Sequence, residues 1–146
     1  MDRLRKFWFL TRREKGFLCE ATILLFVSNL SVNAIAFRHI DRFLRTHWSD
    51  GIQDDIDHEQ EIRLVNHSIS RAVNVLPWKS LCLSRSIAQF VMLRRRGIPA
   101  ILFLGAKFSD RSSLDAHAWV DTGPGVSDKN SDYASVIRIG TITVDL

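Results

Sequence analysis

The sequence has few of the residues that build a disulfide scaffold or a metal centre. Two cysteines, Cys19 and Cys82, occur in 146 residues, and they lack the paired spacing of a zinc site. No histidine pair and no cysteine–histidine pair has metal-ligand spacing either. We therefore expect a protein without a metal or other cofactor that works in the reducing conditions of the cytoplasm.

Long hydrophobic runs are scarce as well. Residues 21–37 form an uncharged stretch of 17 residues, which is at the lower limit for a membrane span and is diluted by serine and asparagine. Glu14 and Glu20 precede it and no clean cleavage site follows, so it does not resemble a signal peptide. We expect a buried or interfacial helix here, with a peripheral membrane contact through the N-terminal helices as the alternative.

The excess of positive charge is small and local. The chain has 20 Lys and Arg residues against 16 Asp and Glu residues, for a formal charge of +4, and the basic residues concentrate in 3–15 and 94–96. Such clusters can meet nucleic acid, an anionic membrane or an acidic peptide, or simply form a solvated face. No zinc-finger, RNA-motif or helix-turn-helix signature accompanies them, so we expect no nucleic-acid partner.

Length and composition are those of one globular domain, because 46% of the residues are hydrophobic and 25% are charged. We predict a single domain over residues 1–146, with a helical N-terminal part over 1–50 and a core over 51–146. Helical patterns come first and strand patterns last. The predicted class is therefore α+β, with a helical N-terminal half packed on a small antiparallel sheet.

Hydrophobic periodicity indicates the individual elements. Helices are predicted over residues 4–10, 13–37, 39–46, 62–76 and 82–96, and strands or short elements over 100–105, 114–121, 133–139 and 141–146. Asp54 or Asp57 is the expected cap of the fourth helix, and Pro77 ends it. The fifth helix has arginines in its last turn, Gly97 as its C-terminal cap and Pro99 to prevent its continuation.

Cys82 is the candidate nucleophile because it opens the predicted helix over 82–96. A thiol there lies against the positive end of the helix dipole and near unpaired backbone N–H groups, which favour the reactive thiolate. The same N–H groups are suited to hold an oxyanion. Cys19, in contrast, falls within an apolar helix, where we expect a small buried thiol.

His117 is the candidate general base. It occupies the polar face of the alternating strand 114–121, between two alanines whose small side chains allow close packing. A histidine in that position can reach the start of a helix packed across the sheet and remove the thiol proton. The other histidines are expected to be half-exposed residues without such a role; they are His39, His47, His58 and His67.

A carboxylate should orient the imidazole and stabilise its charged form. Asp128 follows His117 by eleven residues across a Gly-Pro-Gly turn, which is a hairpin-like distance. Asp121 is the alternative, because it lies on the same face of the strand as His117. Four residues along a strand, however, separate the two by about 13 Å. Asp115 is too close in sequence to point easily at the same ring, and Asp145 ranks after Asp128. We predict Asp128 as the third residue.

The motifs around these residues resemble a known family. The runs LPWKSLCLSRSIAQFVMLRRRGIPAILFLGAK, DAHAWV and GVSD, within residues 76–128, are similar to the leader peptidases of lasso-peptide biosynthesis. These are transglutaminase-like members of the papain-type cysteine proteases, so the resemblance implies a fold of that type. It also implies a catalytic triad of Cys82, His117 and Asp128, which are the residues reached above.

The resemblance further implies the reaction. It predicts a stand-alone cysteine peptidase that cuts a ribosomally synthesised precursor peptide between leader and core, with a small pocket for the leader's penultimate threonine. A separate leader-recognition protein is the implied partner, and a separate ATP-dependent macrocyclase takes the freed core. Two alternatives use the same chain differently: a transglutaminase-like acyl transfer to an amine, and a non-catalytic peptide-binding scaffold.

A surface for the leader and the recognition protein is also expected on the protease hypothesis. Exposed aromatic and aliphatic residues near the N-terminus are the candidates for this apolar patch; they are Phe7, Trp8, Phe9, Phe17 and Leu18. The competing interpretation assigns them to the core.

Overall fold

The computed structural model describes residues 10–47, 58–76, 82–108, 114–122 and 134–139. Within them the chain forms four helices: α1 (Arg12–Ala34), α2 (Phe37–His47), α3 (His58–Val75) and α4 (Cys82–Arg94). Three strands follow: β1 (Ile101–Phe108), β2 (Leu114–Asp121) and β3 (Ala134–Ile139). Helices come first and strands last, so the predicted α+β class is confirmed. The helix predicted over 4–10, the strand predicted over 141–146 and the proposed caps Asp54 and Asp57 lie outside the described residues.

A reciprocal cap starts α1. The Thr11 hydroxyl accepts a hydrogen bond from the Glu14 backbone N–H at 3.2 Å, while the Glu14 carboxylate accepts one from the Thr11 N–H at 2.9 Å. These bonds satisfy donors that the first turn of any helix leaves without partners. Hydrogen bonding to the Thr11 backbone, and then to its side chain, lowers the pKa of Glu14.

The end of α4 follows the prediction from sequence. Gly97 has a φ of 70°, a left-handed conformation that glycine adopts without a Cβ clash. Its N–H donates to the Arg94 carbonyl at 3.0 Å, and the Ile98 N–H donates to the Leu93 carbonyl at 3.1 Å. The chain therefore leaves the helix sharply and enters β1, the central strand of the sheet.

The sheet is antiparallel, with the strand order β2-β1-β3. In the β1–β2 pair, Gly105 lies opposite His117 and Phe103 lies opposite Trp119. The pairing of β1 with β3 contains an irregularity between Leu104 and Gly105. The sheet packs against α4 through β2 and β1, while α4 also packs against α1 and α3. Helix α4 thus lies between the helical layer and the sheet.

One continuous apolar core joins these layers. Its largest fully buried members come from all four helices, from β1 and from the turn between α4 and β1; they are Leu25, Leu44, Val65, Phe90, Met92, Leu93, Ile98 and Leu102. Burial of this apolar surface is the main force that fixes α4 against both neighbours. The start of α4 is therefore held in place by packing on two sides.

A cluster of charges closes one side of the helical layer. Arg96 ion-pairs with Glu20 and lies 3.6 Å from the Glu61 carboxylate, which is itself buried and also pairs with Arg13. The Arg96 guanidinium also stacks 4.1 Å above the centre of the Phe17 ring. These contacts give the buried Glu61 the opposite charges that burial demands.

Helix α1 has a second apolar face that meets solvent. Ile23 is 62% exposed and Leu30 is 59% exposed, and further large apolar side chains beside them are also exposed; they are Phe26, Val27, Ile35 and Phe43. The α1–α2 groove, a cavity of about 620 Å³, lies between α1, α2 and α4 and is lined mainly by apolar side chains. By length and composition α1 could cross a membrane, although a core helix or a signal sequence passes the same test.

One expectation about this region is wrong, and a second is wrong for two of its five residues. Cys19 is exposed rather than buried, because it lies on the outward face of α1. Phe17 is buried in the core and Leu18 packs against it, so neither belongs to an exposed apolar patch. The other three candidates for that patch, Phe7, Trp8 and Phe9, lie outside the described residues. Among the described residues, the middle and end of α1 form an exposed apolar surface with α2.

Candidate active site

Cys82 is the first residue of α4, as the sequence predicts. Its Sγ atom lies 4.0 Å from the carbonyl oxygen of Ala116 in β2. The thiol is partly exposed, so a substrate carbonyl can approach it. Its position at the helix start brings it close to the N–H groups that have no partners within the helix. Nucleophilic attack on an amide requires a thiol that the substrate can reach and hydrogen-bond donors beside it for the oxyanion.

His117 follows Ala116 and is half-buried. It lines the same cavity as Cys82, a cleft of about 300 Å³ between α3, α4 and β2. The His117 ring stacks on Trp119 with 6.1 Å between centroids, and Trp119 stacks on Phe103 of the neighbouring strand at 5.5 Å. The imidazole is thus supported by an aromatic row along the sheet.

A buried hydrogen bond links the elements that carry these two residues. The Ser86 hydroxyl, one turn after Cys82, donates to the carbonyl oxygen of Ala118 at 2.9 Å. Ala118 directly follows His117 and is itself buried. The bond therefore holds α4 against β2 beside the two residues that line the cleft.

The cleft continues along α4 away from the thiol. Arg85, Ser86 and Gln89 line it from α4, and Asn66, Ile69 and Ser70 line it from α3. The Gln89 side-chain amide donates to the Asn66 side-chain carbonyl at 2.7 Å. Polar groups thus extend along one wall of a cavity whose opposite wall is β2.

The third predicted residue, Asp128, lies outside the described residues, as does Asp145. Asp121 ends β2, four residues from His117 on the same strand, and Asp115 precedes His117 by two residues. Strand β3, the next described strand, pairs with β1 and not with β2. In the described part of the chain, therefore, no strand after β2 pairs with it.

Several residues around the thiol were not singled out from the sequence. Ser86, Gln89 and Arg85 follow Cys82 at helical spacing, so they could have been predicted to share its face of the helix. Asn66 and Ser70 carried no such signal, because they come from a helix whose packing partner the sequence does not reveal. No cluster of three or more metal-ligating side chains occurs among the described residues.

The arrangement defines a class of protein: an α+β domain that presents a helix-start thiol and a strand imidazole in one cleft. Comparison with protein-family models agrees, since the model of the transglutaminase-like superfamily matches residues 24–139. The match covers more than three quarters of the chain, and the chain belongs to this superfamily. No curated protein and no solved structure gives a significant match.

The superfamily includes cysteine proteases and acyltransferases. Members of both kinds form a thioester with a cysteine, and they differ in whether water or an amine resolves it. The matched region begins inside α1 and ends with β3. It therefore contains Cys82, His117 and the whole cleft described above.

Proposed function

We propose that this protein is a cysteine peptidase that removes the leader from a ribosomally synthesised lasso precursor peptide. The single observation that carries the proposal is the shared cleft of Cys82 and His117, one at a helix start and one on the adjacent strand. The resemblance of the HAWV and RRRGIPA motifs to leader peptidases supplies the substrate. We further propose that the chain folds as a single domain and acts in the cytoplasm.

The reaction begins with proton transfer. His117 takes the proton of the Cys82 thiol, and the thiolate attacks the carbonyl carbon of the amide between leader and core. Backbone N–H groups at the start of α4 stabilise the oxyanion of the tetrahedral intermediate. His117 then gives its proton to the leaving amine, the C–N bond breaks, and the core peptide departs with a free amine.

Hydrolysis completes the cycle. The leader is now held as a thioester on Cys82, and His117 takes a proton from the attacking water. The C–S bond breaks, the thiolate regains a proton from His117, and the leader leaves with a free carboxylate. Asp128 is proposed to hold the imidazole in the right orientation and to stabilise its charged form. The free amine of the core would then serve the separate ATP-dependent macrocyclase.

A separate recognition protein is proposed as the partner, docked in the α1–α2 groove. A concave apolar groove fits an amphipathic helix better than it fits a flat lipid surface. His39 and Arg95 line it among the apolar side chains. The favoured occupant is therefore a helix with acidic residues next to its apolar face.

Precursor cleavage followed by mass spectrometry tests the enzymatic proposal. Wild type with the cognate recognition protein should release leader and core at one site, and Cys82→Ala should release neither. His117→Ala should slow cleavage by roughly 10²-fold to 10⁴-fold, because general base catalysis is lost. His67→Ala, an exposed histidine on α3, is the matched control. An intact precursor that still binds wild type would favour the peptide-binding scaffold.

Acyl transfer is the second candidate, because the superfamily also includes acyltransferases. It uses the same thioester, but an amine replaces water in the last step. Cleavage in the presence of a primary amine such as putrescine separates the two. A leader released as the amide of putrescine, heavier than the free acid by the mass of the amine less one water, would favour the transferase.

A further inference from the structure

The imidazole of His117 has unlike neighbours across the sheet and along its own strand. Across the sheet, the residue opposite His117 on β1 is Gly105, which has no side chain. Along β2, Trp119 lies two residues further on and therefore on the same face of the strand. The two rings stack with 6.1 Å between centroids and 18° between their planes. The contact that the neighbouring strand does not offer is thus made by the indole of the next residue on that face.

The indole of Trp119 is itself held from the neighbouring strand. Phe103 of β1 lies directly opposite it, and the two rings stack at 5.5 Å with 11° between their planes. Aromatic cross-strand pairs of this kind stabilise a sheet. On the other face of β2, the alternate residues Ala118 and Val120 are buried. The strand that carries both rings is therefore fixed on one face by burial and on the other by the aromatic pair.

A general base needs such support because its ring must keep one orientation through several proton transfers. A ring that turns away from the thiol loses the alignment on which proton transfer depends. Near-parallel offset aromatic rings at 4.5–7 Å attract each other. Stacking also uses the face of the imidazole and leaves its edge, where both nitrogens lie, to proton transfer and to an orienting carboxylate. An aromatic support therefore orients the base without competing for its nitrogens.

We propose that Trp119 is a positioning residue for His117. It holds the imidazole toward the Cys82 thiol by stacking, and Phe103 fixes the indole from the central strand. Trp119 acts through His117 and takes no part in a bond-forming step. This inference rests on the proposed function, because it assumes that His117 accepts the thiol proton.

Substrate contact is the competing role for Trp119, because its side chain also lines the cleft. Labelling by iodoacetamide separates the two roles, since a reagent of two carbons does not fill a peptide-binding cleft. The thiolate displaces iodide and forms a thioether, so the rate reports how readily the thiol gives up its proton. Peptide mapping distinguishes Cys82 from the exposed Cys19. The Cys19 label also corrects each sample for reagent concentration.

Substitutions along the aromatic row should change labelling of Cys82 in a graded way. Trp119→Leu should slow it about threefold to tenfold, the size that the loss of one aromatic stack predicts. Trp119→Phe should restore most of the rate, because a phenyl ring can still stack on the imidazole. Phe103→Leu should cause a smaller loss in the same direction. Phe26→Leu is its matched control and should leave the rate unchanged, because Phe26 is a half-exposed residue of α1 outside the cleft.

A double-mutant cycle shows whether Trp119 acts through the base. In a His117→Ala background, neither Trp119→Leu nor Phe103→Leu should slow labelling of Cys82 any further. A loss that came from general loosening of the sheet would instead be equal in both backgrounds. Circular dichroism and urea unfolding confirm that each variant is folded. Should Trp119→Leu not fold, Phe103→Leu in the two backgrounds provides the same comparison.

The outcomes separate this inference from the proposed function. A loss of the same size with and without His117, or a Trp119→Phe variant as slow as Trp119→Leu, would overturn the positioning role and leave the nucleophile and base in place. Unchanged labelling with slower cleavage of the precursor would also overturn it and would assign Trp119 to substrate contact. Equal labelling of Cys82 in wild type and His117→Ala would overturn the proposed base, and the positioning role with it.

Discussion

The hydroxyl of Ser86 donates a buried hydrogen bond of 2.9 Å to the carbonyl oxygen of Ala118. Ser86 is one helical turn from Cys82, and Ala118 is bonded to His117. One contact therefore joins the two elements on which the proposed nucleophile and base are located.

Ser86→Ala should lower activity by more than its effect on stability alone would explain. The substitution leaves the Ala118 carbonyl buried without a donor, which costs about 1–3 kcal/mol, and it loosens α4 from β2 beside the site. Ser84→Ala is the matched control, since Ser84 is a buried serine of the same helix that contacts Asn29 of α1. We expect similar losses in melting temperature, but slower labelling of Cys82 by iodoacetamide only in Ser86→Ala, with peptide mapping to separate Cys82 from the exposed Cys19.

The pH dependence of Cys82 labelling gives a second comparison of the same two variants. A change in its midpoint in Ser86→Ala, with none in Ser84→Ala, would show that Ser86 acts through the thiol–imidazole pair. Identical profiles and identical rates in the two variants would reduce Ser86 to a structural role.

Arg96→Met should strongly destabilise the protein, and Arg95→Met should not. The Arg96 side chain is 19% exposed and lies between Glu20 and Glu61, whereas that of Arg95 is 56% exposed and pairs with Glu20. Removing Arg96 leaves the buried Glu61 with Arg13 only, and breaking such a pair costs about 3–5 kcal/mol. Losing an exposed pair costs about 0–1 kcal/mol.

Urea unfolding at neutral pH measures both variants. Equal midpoints for Arg96→Met and Arg95→Met would contradict the assignment of Arg96 as the central cation of the cluster. The residues are adjacent and the substitution is the same, so differences in chain entropy do not enter the comparison.

The combined variant Val27→Ser with Phe43→Ser tests the α1–α2 groove. Both side chains are about half exposed, so we expect only a small change in the free energy of unfolding, about 0.5 kcal/mol per site. Binding of the cognate recognition protein should fall at least tenfold. Leu25→Ser, on the buried face of the same helix, should instead destabilise the fold by about 2–5 kcal/mol.

Flotation with vesicles of phosphatidylserine and phosphatidylcholine tests whether a membrane, rather than a partner helix, occupies the α1–α2 groove. Wild type should remain in solution on the partner hypothesis. Flotation of wild type, abolished by the two serine substitutions, would assign the groove to an anionic membrane instead and would contradict the docking proposal.

Thr11→Ala should raise the pKa of Glu14 toward its ordinary value, because the backbone and side-chain hydrogen bonds of the cap favour the charged carboxylate. A pKa that is lower in the folded state stabilises the fold above the unfolded value. That contribution disappears as the pH falls through the folded value. Carboxyl chemical shifts followed by NMR titration measure the change, and an unaltered Glu14 titration in the variant would contradict the cap.

The sequence was sufficient to predict the elements whose local signals agree. Helix α4 starts at Cys82 and ends before Gly97 because a helix-length apolar pattern, a final arginine turn and a glycine cap all favour the same boundaries. Strand β2 was predicted with its observed ends from alternation alone. In these segments the local preference and the tertiary packing favour the same structure.

Long-range packing accounts for what the sequence did not reveal. Helix α1 is apolar on both sides, so periodicity could not show which face is buried, and Cys19 was assigned to the wrong one. The partnership of Asn66 with Gln89 joins residues 23 positions apart on two helices. Such contacts depend on how helices cross, which neither spacing nor composition specifies.

The site also depends on that packing. Cys82 and His117 are separated by 35 positions in the chain, and each belongs to an element that has no catalytic partner of its own. On the proposed mechanism, a nascent or unfolded chain therefore carries an ordinary thiol and an ordinary imidazole. Enhanced reactivity of Cys82 arises only when α4 docks on β2, so the rate of Cys82 labelling, separated from that of the exposed Cys19 by peptide mapping, also measures how much of a preparation is correctly folded.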